Sequence, residues 1–165
     1  MDDIYKTAVR IAEKVAPDEV DLAPSIIEAI IEGGRKVKTL QRRTHGPKLG
    51  GFLGSIEGGN LFQVMEALHL CSTILSNLFV MGAATLTIMI HRLNLKDRKE
   101  QKEKLSLSPD SEKVFQEAIF SVAEQLKSMD IEDEKAERIS KLAISVLLED
   151  PNSSKVFVDR LKKVK

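Results

Sequence analysis

A chain of 165 residues has room for one domain with a real core, or for two small helical units around a linker. Hydrophobic residues at 42% and charged residues at 30% exclude both a disordered chain and a polytopic membrane protein, and a formal net charge of zero removes any global argument for nucleic acid. Aromatic residues make up only 4%, with no Trp and one Tyr, which disfavours strand-rich folds and points to an all-α class.

The first predicted helix runs from about Asp3 to Ala16, with Ile4, Ala8, Ile11, Ala12 and Val15 on one face. Its start, MDDIYKTAVR, is acidic and amphipathic and lacks the basic-then-apolar pattern of a signal peptide. Pro17 stops this helix. Asp21 is the expected cap of a second helix that tolerates Pro24 in its first turn and carries Leu22, Ile26, Ile27, Ile30 and Ile31. Gly33 and Gly34 weaken or end it.

From Arg35 to Lys48 the chain carries Arg35, Lys36, Lys38, Arg42, Arg43 and Lys48 and no acid. Such a run is a candidate site for an anionic ligand. Three ligand classes fit: anionic lipid headgroups, a nucleotide or oligonucleotide held through its phosphates, and an acidic protein. A solvated basic loop is the plain alternative. No aromatic residue interleaves with the charges, so base stacking has no support.

The next segment reads GGFLGSIEGG. Gly50, Gly54 and Gly58 sit four apart, as do Gly51, Ser55 and Gly59, a spacing that permits close approach of helices. After Asn60 a long helix is expected, to about Leu95. Within it, Leu70 to Ile90 is an uncharged run of about 21 residues, close to the ~20 that a helix needs to cross a bilayer. Its mean hydropathy is roughly 1.8, above the usual spanning level. Ser72, Ser76, Ala83 and Thr87 recur near helical spacing and, with Asn77, form a candidate assembly stripe; their hydroxyls also have the option of bonding back to their own helix carbonyls. Glu57 and Glu66, between the glycines and the apolar run, are candidates for an acidic ring at a pore mouth. The alternative for the whole run is a helix buried all round in protein.

A mixed-charge stretch containing DRKEQKEK follows. Ser108 then caps a helix with Pro109 at its first position, and Val114, Phe115, Ala118, Ile119, Val122, Ala123 and Leu126 line its apolar face. A turn near Met129 and Asp130 leads to a helix bearing Ala136, Ile139, Leu142, Ala143, Val146 and Leu147. Asp150-Pro151 starts a last helix with Val156, Phe157, Leu161 and Val164. The expected layout is an N-terminal helical region with the basic segment (1–48), the Gly-rich segment and long apolar helix (49–95), and a charged linker with a C-terminal helical bundle (96–165).

Chemistry has little purchase here. Nucleotide-loop, zinc-protease, CxxC and serine-hydrolase motifs do not occur, and Cys71 is a lone cysteine two residues from His69, a poor metal pair on a helix. No enzyme activity, cofactor or metal is expected. The glycine segment resembles, in composition, the Gly-rich stretches of fusion and pore-forming peptides. The whole layout resembles the compact membrane effectors of bacterial anti-phage and toxin systems, which couple a sensing part to a permeabilising helix. That resemblance implies a homo-oligomeric pore or channel in the inner (cytoplasmic) membrane, gated by a nucleotide or oligonucleotide at the basic segment. The rivals are a soluble helical oligomeric adaptor with the apolar helix as its core, and a single-span anchor. Arg92, Lys96, Arg98, Lys99, Lys102 and Lys104 follow the run, and no Lys or Arg lies within about 20 residues before it, which places the C-terminal bundle in the cytoplasm. Translocating the basic segment conflicts with that orientation. Both ends are therefore expected in the cytoplasm at rest, with the apolar helices shielded in an oligomer or only partly inserted.

Overall fold

The computed structural model describes residues 2–33, 61–94 and 107–164, and they are all-helical, with no strand among them. Helix α1 (Asp3–Val15) starts on the Asp2 side chain, which accepts the Ile4 N–H, and has Asp3 in its first turn and Lys14 in its last, as the helix dipole favours. Pro17 opens a 3-10 segment, Pro17–Leu22, that runs directly into α2 (Ala23–Glu32). Asp21 therefore lies inside the 3-10 turn and caps nothing: α2 begins at Leu22 with no side-chain cap because the preceding turn already supplies backbone partners. Gly33 closes α2 at φ 65° and ψ 157°, a conformation essentially confined to glycine.

The expected membrane-spanning helix is not present. Leu70 to Ile90 is divided among the end of α3 (Leu61–Leu70), a turn at Cys71, α4 (Ser72–Ser76), a 3-10 segment (Asn77–Val80) and α5 (Ala83–Asn94). The hydrogen-bond ladder passes through Cys71, whose N–H reaches Ala67 and whose carbonyl accepts from Leu75, so α3 and α4 are joined across a single turn residue. It ends at Met81, where the backbone is extended (φ −85°, ψ 153°), and restarts when the Gly82 carbonyl accepts from Leu86. Asn77 and Gly82 are poor helix formers at the break, and Thr85 and Thr87 add no propensity after it. Among the described residues no helix is long and apolar enough to cross a membrane.

The C-terminal elements follow the pattern of their residues. α6 (Pro109–Ser128) starts on Ser108, whose Oγ accepts the Ser111 N–H, with Pro109 at its first position. It ends with Asp130 in the left-handed region (φ 65°), while Ile131 N–H reaches back to Leu126. α7 (Asp133–Glu149) and α8 (Pro151–Lys162) complete the chain. In α8 the buried apolar residues are Phe157, Val158 and Leu161; Val156, expected on that face, is exposed. α7 packs against α1, α5, α6 and α8, and every residue from Ala143 to Leu148 is buried. One continuous hydrophobic core joins α1, α2, α3, the broken segment, α5 and the three C-terminal helices.

The broken segment contributes Leu75, Leu78, Leu86 and Met89 to that core and leaves Val80 84% exposed. Leu78→Ala should therefore lower folding stability by about 2–5 kcal/mol, while Val80→Ala changes it by less than about 0.5 kcal/mol. Urea unfolding of the two variants checks this; equal effects would mean that both side chains face the same medium.

Candidate functional site

Four residues of α5 recur at helical spacing on one face: Ala83, Leu86, Thr87 and Ile90. They form one wall of a groove of about 550 Å³. Phe79 and Met81, either side of the exposed Val80, close one end. The opposite wall is the corner between α7 and α8, where Leu148, Glu149, Pro151, Asn152 and Lys155 line the space. Leu86 and Leu148 are almost wholly buried and make an apolar floor, and Glu149 and Lys155 supply charge at the rim.

Both walls are fixed by polar contacts outside the groove. At the corner, Asp150 accepts the Ser153 N–H and caps α8, and Pro151 presets the backbone of its first turn. Helix α1 clamps the same corner. Arg10 pairs with Glu149 at 3.2 Å and Asp150 at 3.6 Å, and Ser153 Oγ donates to Asp3 at 3.3 Å. At the far end of α5, Arg92 makes a two-pronged contact with Glu112 at the start of α6, its Nη2 donating to Oε1 at 3.0 Å. Its guanidinium lies 5.5 Å from the centre of the Phe115 ring. The Arg92 hydrogen bond holds the Glu112 carboxyl below its ordinary range, against an opposing effect of partial burial and with help from Gln116.

The residues singled out in the sequence are not gathered here. Arg35, Lys36, Lys38, Arg42, Arg43 and Lys48, with Gly50, Gly54, Glu57 and Gly58, lie outside the described residues. Glu66 is half-buried on α3, Ser72 is buried, Ser76 is half-buried and Asn77 is exposed. They do not share one surface, because the turn at Cys71 and the tighter 3-10 segment from Asn77 spoil the helical spacing that would align them. Ser76 Oγ donates to the Thr73 carbonyl at 2.7 Å and Thr87 Oγ1 to Ala83 at 2.9 Å, so these hydroxyls bond back to their own segments. His69 lies 3.5 Å from the Val164 carbonyl. Burial pushes the Cys71 thiol up to about 11, which keeps it protonated and unreactive near neutral pH.

Two features have no counterpart in the sequence reading. The groove was hidden inside the apolar run, although the Ala83, Leu86, Thr87, Ile90 spacing beginning just after Gly82 marks a separate helix. The second is Glu19, a buried carboxylate in the acidic 3-10 turn, both of whose oxygens accept the Leu61 N–H at 3.3 Å. It caps α3 from across the fold, and nothing local distinguishes it from Asp18 and Asp21. A surface hollow of about 480 Å³ bounded by Glu132, Glu134, Lys135 and Arg138 lies on the charged face of α7. Comparison with protein-family models, with curated proteins and with solved structures finds no match for this chain.

Burial raises the Glu19 carboxyl above its ordinary value, outweighing the opposing Leu61 hydrogen bond, and the Asp18 charge adds to the rise. An acid with a raised folded-state value stabilises the fold when protonated, and that contribution is lost as pH rises through the folded value. Glu19→Gln keeps an acceptor for Leu61 without the charge, so it should be more stable than the wild type at pH 7. The gap should narrow as pH falls through the raised folded-state value, where the carboxyl takes up its proton. Glu19→Ala, which removes the cap, should cost about 1 kcal/mol. Urea midpoints measured across pH decide this; a wild type more stable than Glu19→Gln at pH 7 would show that charge–dipole attraction at the start of α3 outweighs burial.

Proposed function

We propose that this chain is a self-associating helical adaptor, a folded scaffold that acts through contact between copies rather than through bond chemistry. The observation that carries this reading is the division of the apolar run at Met81–Gly82. Both sides of the break pack into the core, Leu75 and Leu78 before it and Leu86 and Met89 after it, while Val80 at the break stays exposed beside a groove with an apolar floor. An exposed apolar side chain beside a concave surface with a few polar groups at its edge is where partners bind.

The same observation favours an adaptor over the channel suggested by hydropathy. A lipid-facing span requires a continuous helix whose backbone groups are all satisfied within the bilayer, and this run breaks its ladder at Met81. Assembly also bears on the basic segment. Each added copy brings another set of Arg35, Lys36, Lys38, Arg42, Arg43 and Lys48, so an oligomer would hold an extended anionic partner with an avidity that one copy lacks.

Sedimentation velocity in detergent-free buffer tests this. Reversible association is expected by a protein concentration of about 100 µM, within reach of a modest interface. A chain that stays monomeric throughout, and instead releases dye from anionic vesicles, would overturn the adaptor and restore the channel.

A further inference from the structure

We propose that a second copy of this chain occupies the groove in a two-fold pairing, with the Val80 ridge of each copy seated in the groove of the other and Glu149 of each opposite Lys155 of the other. The pairing rests on the self-association proposed above and gives it a surface and a geometry.

Charge is the first argument. Glu149 and Lys155 line the same groove with opposite signs. Arg10 orients Glu149, whose side chain remains 40% exposed, and Lys155 has no ion-pair partner among the described residues. A two-fold axis makes every contact reciprocal, so an acid and a base on one face satisfy each other twice when that face meets its own copy. An unrelated partner would need a matched pair of its own.

Shape is the second argument. Ridge and groove are adjacent, because the sequence neighbours of Val80, Phe79 and Met81, are themselves groove lining. An exposed apolar side chain beside a recess with an apolar floor and charged edges is a surface that an isologous contact can use. The third argument comes from Gly82. A Cβ there would meet nothing within 4 Å and the backbone is not left-handed, so one copy has room for a side chain at this position. Ala83 and Ala84 beside it are exposed. The short run therefore leaves the backbone beside the groove open to close approach.

The freedom at Gly82 also supplies a variant that leaves the fold alone. Gly82→Arg should keep the wild-type melting temperature and lose association in sedimentation velocity. Lys155→Glu sets Glu against Glu twice in a like pair, and Glu149→Lys sets Lys against Lys twice; each should weaken association by about tenfold or more at low salt. Mixed one to one, these two variants should recover dimers, because the hybrid has Lys opposite Glu at both contacts. A wild type that associates but is unmoved by Gly82→Arg overturns the groove as the interface while leaving self-association standing. Association lost in Gly82→Arg without recovery on mixing overturns the two-fold charge pairing. A wild type that is monomeric at every concentration overturns both this pairing and the adaptor reading.

Discussion

A helix buried on every side can exist only where neighbours cover it on every side, and the second half of α7 imposes that condition here. Ala143 to Leu148 are all buried, so α1, α5, α6 and α8 each have to supply a covering face. The small residues of α7 make this geometry workable. Ala136, Ser140 and Ala143 let neighbouring helices come close, and Ser140 Oγ donates to the Ile119 carbonyl of α6 at 2.7 Å, so its polar atom is satisfied inside the contact. The position of α5 follows. It must lie along α7 to cover its share, and a helix continuing straight from α4 would be committed to the direction of α4. The break at Met81–Gly82 lets the chain change direction and lay α5 against α7.

The groove is a by-product of the same requirement. Once α5 covers α7 with Leu86 and Met89, its neighbouring face with Ala83, Thr87 and Ile90 is left looking toward the α7–α8 corner across an unfilled gap. Two clamps keep the gap from collapsing. Arg92 on Glu112 fixes the far end of α5, and Arg10 on Glu149 and Asp150, together with Ser153 on Asp3, fixes the corner. Each pair is partly exposed and contributes modestly to stability. Their value is geometric, since they hold the two walls from outside while the floor is set by close-packed Leu86 and Leu148.

The elements legible in the sequence are those whose signals are local. Pro17, Ser108-Pro109 and Asp150-Pro151 mark helix boundaries with their own side chains, and the spacing of Phe115, Ala118, Val122 and Leu126 reads directly as a buried face. The apolar run misleads for a definable reason. Hydropathy averages composition over a window and carries no information on direction, so Leu78, wholly buried, and Val80, 84% exposed, count alike. The break itself rests on one extended residue, Met81, with no turn signal of its own beyond the following glycine. Glu19 fails to show for the opposite reason. Its role depends on a partner, Leu61, 42 positions away in sequence, and among Asp18, Glu19 and Asp21 only tertiary packing decides which side chain turns inward.

What remains of the spanning signal is a surplus of apolar surface. The core of this fold needs one face of the run, and it takes Leu75, Leu78, Leu86 and Met89. Phe79 and Met81 are only partly covered, Ile90 lines the groove, and Val80 has no cover at all. In water that leftover surface disfavours the isolated chain at roughly 25 cal/mol for each Å² kept exposed. Burying it against lipid would require α5 to leave α7, exposing the residues from Ala143 to Leu148 that it helps to cover. Burying it against protein requires no such rearrangement, because ridge, groove and rim charges already lie on one face. The proposed association between folded copies would remove the surplus while leaving the all-round burial of α7 intact.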